Sequence, residues 1–106
     1  SPQPNLPEVL RRFADLRAVL PVLWDGGYTQ LLVSHEQFAF LRAKDNERVV
    51  VALNSAAEPA LMTIPLPFQA TRAIDLLNNN ETFAVHEGKL ELPTVPARWA
   101  RVLKQE

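Results

Sequence analysis

No cysteine occurs in the chain. Disulfides and thiolate metal sites are therefore excluded, and the redox compartment stays undecided. Glycine occurs only three times, too rarely for the glycine-rich loop that cradles phosphates. Charge of one sign is lacking too: eleven basic residues against twelve acidic ones give a net charge of −1. The basic residues form no cluster, whereas a nucleic-acid module normally carries a basic stripe, so no nucleic-acid partner is expected. No apolar run approaches the roughly 20 residues that span a bilayer, and no membrane partner is expected. The opening Ser1-Pro2-Gln3-Pro4-Asn5 is polar and proline-rich, unlike a signal peptide.

What is present is enough apolar side chain for a core. Hydrophobic residues make up 47% of 106 positions, consistent with one small domain. The first segment reads as an amphipathic helix. Leu6, Val9, Leu10, Phe13, Leu16 and Leu20 recur at three- and four-residue spacing, with Glu8, Arg11, Arg12 and Asp15 mainly opposite. Asn5 is the expected N-cap, Glu8 completes a capping-box pattern, and Pro21 ends the helix. The natural division is a helical segment over 1–24 and a β domain over 25–106.

After Asp25-Gly26-Gly27 the sequence reads as strands. The runs are 28–34, 36–44, 47–55, 60–66, 72–77, 82–85, 89–92 and 98–104. Turn chemistry separates them, including Asp45-Asn46, Asn78-Asn79-Asn80 and Glu87-Gly88. Short strands at such spacing predict an antiparallel sandwich or barrel. One hairpin poses a problem. Phe38 and Phe40 share a face with each other and Ala39 and Leu41 share the opposite one, while Val49, Val51 and Leu53 back onto Val50 and Ala52. A strand pair apolar on both faces must be covered on both. One cover is the second sheet of the sandwich. The other is the amphipathic helix or a surface outside these residues.

Chemistry is sparse. The acids are spread singly over turns and solvent faces, as at Asp25, Glu47, Glu58 and Glu87, with no pair in a catalytic frame. His35 and His86 stand apart from other ligands, so no metal and no cofactor is expected. Ser34 and Ser55 lack a nucleophile-elbow context. Asn80-Glu81-Thr82 matches a glycosylation sequon, although three successive asparagines already account for themselves as a turn. Trp24, Tyr28 and Trp99 are candidates for stacking on sugar rings. The competing reading packs Trp24 at the helix-to-sheet junction and Trp99 between the layers of a sandwich.

The order of features carries a resemblance. VLRRFADLRAVLPVLWDGGY, then FAFLRAKDNERVVVALN, then AIDLLNN, then GKLELPTVPARWARVL resembles the C-terminal end of α-amylase superfamily enzymes, with a flavour of the neopullulanase, cyclomaltodextrinase and α-glucosidase branch. Leu10-Arg11, Leu16-Arg17 and Pro21 to Leu23 match the last helix of that family's catalytic (β/α)8 barrel, and Asp25 to Tyr28 match the turn after it. Phe38 to Arg42, Ala52-Leu53-Asn54 and Asp75-Leu76-Leu77 match successive strands of the following domain, and Arg98 to Leu103 its closing strand.

The resemblance implies an all-β, eight-stranded antiparallel Greek-key β-sandwich preceded by one amphipathic helix. It implies a non-catalytic domain of a glycoside hydrolase acting on α-glucans, because the family's catalytic carboxylates lie upstream of its final helix. The implied partner is the catalytic barrel of the parent chain, docked through Leu6, Leu10, Phe13 and Leu20; self-association through the same helix is the expectation for the isolated chain. An α-glucan is the alternative partner, held by two of Trp24, Tyr28 and Trp99.

Overall fold

The computed structural model describes residues 6–106, apart from the side chains of Leu6 and Val9. The Asn5 cap expected from the sequence lies outside the described residues. Helix α1 runs over Leu6–Val19, and a single further turn, α2, over Val22–Asp25. Pro21 falls between them, where its ring and missing N–H interrupt the ladder. The indole N–H of Trp24 donates to the Arg17 carbonyl at 3.0 Å, satisfying one of the carbonyls that α1 leaves open at its end.

Among the described residues there are eight strands: β1 (Gly27–Val33), β2 (Gln37–Lys44), β3 (Glu47–Asn54), β4 (Ala60–Pro65), β5 (Arg72–Asp75), β6 (Glu81–His86), β7 (Lys89–Val95) and β8 (Trp99–Gln105). All pair antiparallel, as expected. They form one continuous sheet in the order β1-β2-β3-β8-β5-β6-β7-β4. The sheet curls nearly closed like a barrel, bringing edge strands β1 and β4 alongside each other.

The turns follow from residue type. Asp45, Asn79 and Asn80 take φ of 55°, 61° and 56°, a left-handed region that Asp and Asn tolerate better than most side chains. The β6–β7 hairpin turns through Glu87 and Gly88 at φ 53° and 77°, both positive as a tight two-residue turn requires. Gly26 is needed for another reason. A Cβ there would come within 2.6 Å of the Val22 carbonyl oxygen and 3.1 Å of the Ala43 nitrogen. β7 runs further than expected, through Pro93 to Val95. Its pairing with β4 shifts register between Leu92 and Val95, and a bulge is where a strand accommodates proline.

Two cores sit on the two faces of the sheet. The inner one holds Ala39, Leu41, Val50, Ala52, Met62, Ile64, Ala73, Leu90, Leu92, Val95 and Leu103. The outer one joins Val49, Val51, Ala100 and Val102 of the sheet to Val22 and Leu23 of α2, with Leu77 and Trp99. Phe13, Leu16 and Leu20 pack against that outer cluster. The second apolar face of the β2–β3 hairpin is therefore covered, in part, by the chain's own helices. Trp99 corrects one expectation. It belongs to this outer cluster beneath the helices and not to the interior of the sheet.

Candidate functional site

The motif residues of the resemblance turn out to hold the fold together. Asn54 is 2% exposed, and its amide uses both ends. Nδ2 donates to the carbonyls of Glu58 at 2.9 Å and Val95 at 3.0 Å, while Oδ1 accepts from Ala56 N and Gln37 Nε2, each at 3.0 Å. One side chain thus ties the end of β3 to the loop before β4 and to the end of β7. Asp75 is fully buried. Its Oδ1 accepts from the backbone N–H groups of Leu77, Asn78 and Val102. Its Oδ2 accepts from Asn78 Nδ2 at 2.8 Å and from Arg101 at 2.9 Å. Asn78 in turn accepts the indole N–H of Trp99 at 2.6 Å. Arg101 also donates to the Thr94 carbonyl and to Glu81, and its guanidinium lies over the Phe83 ring. These groups spend their hydrogen-bonding capacity on the fold, as buried polar groups must.

The three aromatic candidates divide. Trp99 is buried, with its N–H taken by Asn78 and the Arg12 guanidinium over its ring at 5.2 Å. Trp24 and Tyr28 are 53% and 51% exposed. Tyr28 continues into a row of rings, with Phe40 at 5.2 Å between centroids and Phe38 a further 5.8 Å on. Cross-strand partners share a face, so Tyr28, Gln30 and Val33 of β1 lie with Arg42, Phe40 and Phe38 of β2 on the outer face of the sheet. Arg42 sits over the Tyr28 ring and donates to the Gly26 carbonyl at 2.9 Å.

The helix residues divide as well. Phe13 and Leu20 are half-buried against the outer cluster, whereas Leu10 points out at 58% exposure. Val19, which the periodicity did not single out, is 75% exposed. The side chain of Leu6 lies outside those described. Arg12 fastens the helix: it pairs with Glu8 at 2.7 Å, covers Trp99 and reaches the Leu77 carbonyl at 3.5 Å.

Among the described residues, no three histidine or carboxylate side chains gather as metal ligands. His35 and His86 are exposed and far apart in the sheet order. No helix among the described residues is long and apolar enough to cross a membrane. One open cleft is lined by Phe68, Gln69, Ala70, Thr71, Gly88 and Glu106, where Thr71 and Arg72 already bond Glu106. Another lies between Arg12, Leu16 and Val19 of α1 and the Leu76–Asn79 turn.

Residues 28–99 match the family model described as Maltogenic Amylase, C-terminal domain. No curated protein matches the chain in sequence. Solved structures do match in fold. An α-amylase from Anoxybacillus superposes with a TM-score of 0.77 at 19% identity, over 92% of this chain and 22% of its own. An α-amylase from Geobacillus thermoleovorans, solved with acarbose, gives 0.77 at 22% identity over the same shares, 92% and 22%. A cyclomaltodextrinase gives 0.71 at 20% identity, over 87% of this chain and 16% of its own. The 106 residues thus span about a fifth of the length of these structures.

Proposed function

Because the chain belongs to the family of maltogenic amylase C-terminal domains, we propose that it is the non-catalytic C-terminal domain of an α-amylase-type glycoside hydrolase acting on α-glucans. Its work is to stabilise the catalytic barrel by covering apolar surface. Helix α1 is the last helix of that barrel and the rest of the chain is the domain that follows. The observation that carries this reading is that the apolar stripe of α1 is wider than the surface the domain gives it. Phe13, Leu16 and Leu20 pack on the domain's own sheet, while Leu10 and Val19, on the two flanks of that stripe, remain 58% and 75% exposed. Apolar area left in water costs roughly 25 cal/mol per Å², so the exposed apolar side chains at the edges of the packed stripe are suited to cover by a further surface.

Two further features support the reading. The buried polar side chains are committed to the fold, Asn54 to backbone and Gln37, and Asp75 and Arg101 to backbone and to each other, which suits a brace better than a reaction centre. The order β4-β7-β6-β5 sets three hairpin-linked strands beside the strand that precedes them, the Greek-key element of a sandwich whose two layers are the halves of the curled sheet.

The test is made in the parent enzyme, with Leu10 and Val19 both changed to lysine. The expected result is a lower unfolding temperature with turnover unchanged at moderate temperature. An unfolding temperature equal to that of the parent would remove the docking role. Release of reducing sugar from maltotriose by the pure 106-residue chain would remove the non-catalytic one.

A second reading, an α-glucan held by aromatic rings, is supported by the half-exposure of Trp24 and Tyr28. Native electrophoresis with and without soluble starch tests it: retardation lost on Trp24→Ala or Tyr28→Ala favours sugar binding. Self-association of the isolated chain through α1 is measured by sedimentation, with Leu10→Lys expected to weaken it.

A further inference from the structure

Arg12 does more than fasten α1. Its guanidinium lies over the Trp99 ring, and the indole N–H of that ring donates to Asn78 Oδ1. The Asn78 amide nitrogen then donates to Asp75 Oδ2 at 2.8 Å and to the Ala100 carbonyl at 2.9 Å. Asp75 holds Arg101, which reaches the Thr94 carbonyl at 2.9 Å and Glu81 at 3.1 Å. A weaker backbone route joins the same ends. Arg12 approaches the Leu77 carbonyl at 3.5 Å, and the N–H of that same peptide unit, from Asn78, donates to Asp75 Oδ1 at 3.2 Å. The series starts on the helix and ends on β6 and β7, which lie beyond β8 and β5 in the sheet order.

We propose that this series is a conformational relay: the seating of α1 over Trp99 is transmitted through Asn78 to the buried Asp75–Arg101 pair, and from there to β5, β6 and β7. The coupling is internal to the chain and goes beyond its proposed place in a larger enzyme. Asn78 is the element with two arrangements. With Trp99 in place, the indole N–H fixes the amide so that its oxygen faces the ring and its nitrogen faces Asp75.

When α1 lifts, Trp99 loses its cover, and the Asn78 amide loses the bond that sets its orientation. Asp75 then loses a donor. A buried ion pair tolerates that badly, since a network left half satisfied in a dry interior is costly. Packing alone would loosen strands in order of their distance from the helices. The relay instead passes over β2, which lies under α2, and acts on the strands beyond β8.

Hydrogen exchange of the 106-residue chain, read peptide by peptide by mass spectrometry, tests the relay. Arg12→Met removes the guanidinium and keeps most of the stem. Arg11→Met, exposed on the same helix, is the control. The expected result is that Arg12→Met speeds exchange severalfold in α1 and over residues 72–95, with β2 changed less and Arg11→Met without effect. Acceleration confined to α1 would overturn the proposal, since the helix would then be docked but not coupled. Equal acceleration in every segment would overturn it as well, as a plain loss of stability. Trp99→Phe gives the second measurement: it keeps a ring under the helix and removes the indole N–H that leads to Asn78. In that background Arg12→Met is expected to speed α1 as before and to change residues 72–95 far less than in the native background. Additive effects of the two changes on residues 72–95 would mean that Arg12 and Trp99 act independently, and the relay would fall.

Discussion

The guanidinium of Arg101 meets the carboxylate of Asp75 at 2.9 Å, with the two side chains 7% and 0% exposed. They stand on adjacent strands, β8 and β5, at the joint where one half of the sheet meets the other. Removing one member of such a pair leaves the other charged and buried, which typically costs about 3–5 kcal/mol. Asp75→Ala is therefore expected to lower the stability of the chain by roughly that amount, measured by urea unfolding. A loss within the range of an ordinary surface substitution, about 0.5 kcal/mol, would show that the network is dispensable.

Asn54 makes a different kind of tie, uncharged and mainly to backbone. Asn54→Asp keeps the size and removes both amide donors, placing a carboxylate against the carbonyls of Glu58 and Val95. The unpaired carbonyls alone account for about 1–3 kcal/mol each where burial is complete. Unfolding midpoints of Asn54→Asp and Asn54→Ala compare the two losses, with the aspartate expected to be the worse. The reverse order would mean that volume matters more here than hydrogen bonding.

Gly26→Ala tests the close approach of α2 to β2. The added methyl carbon would meet backbone atoms of Val22 and Ala43, which give way less readily than side chains. A destabilisation of about 1–3 kcal/mol, the usual range for overpacking, is expected. At Gly27 a Cβ would meet only the Ala43 oxygen at 3.6 Å. Gly27→Ala should therefore be close to neutral, and equal effects at the two positions would refute the packing argument.

Alkaline pH acts on the other tie between α2 and β2, the ion pair of Lys44 and Asp25. The hydrogen bond to Asp25 first, and its charge second, hold the Lys44 ammonium above its ordinary value of 10.5. A pKa raised by folding contributes stability that is fully present below that ordinary, unfolded value. That stability is lost as pH rises through the folded value. Lys44→Met is expected to flatten the alkaline fall of stability measured by urea unfolding from about pH 8 to about pH 11. Parallel curves for the two proteins would count against it.

Much of the fold was legible in the sequence because turns and alternation are local. The Asp45-Asn46, Asn78 to Asn80 and Glu87-Gly88 clusters mark three turns, and each strand starts or stops within a few residues of where its pattern does. β7 overran its expected end because Pro93 reads as a breaker, and only pairing with β4 reveals the bulge that admits it. The polar network was less visible. Asp75 reads as one position of a strand, although a carboxylate inside the apolar run Ala73 to Leu77 was a signal that a buried cation stood nearby. The aromatic positions were the least legible. Whether Trp99 or Trp24 is open to water depends on how helix and sheet meet, which no local pattern encodes.

β8 sits between β3 and β5, joining the β1-β2-β3 meander to the β5-β6-β7-β4 half. It is also the last of the eight strands in sequence. A ribosome delivers this chain from its N-terminus, and domains generally fold as units during synthesis. Here the two halves emerge with a strand-wide gap between them, and the inner cluster cannot close until Leu103 arrives. The sheet is therefore completed by the last of its strands to emerge rather than grown strand by strand. Nascent chains stalled before Trp99 should expose two unpaired edges, those of β3 and β5, and be open to the chaperones and proteases that read such edges.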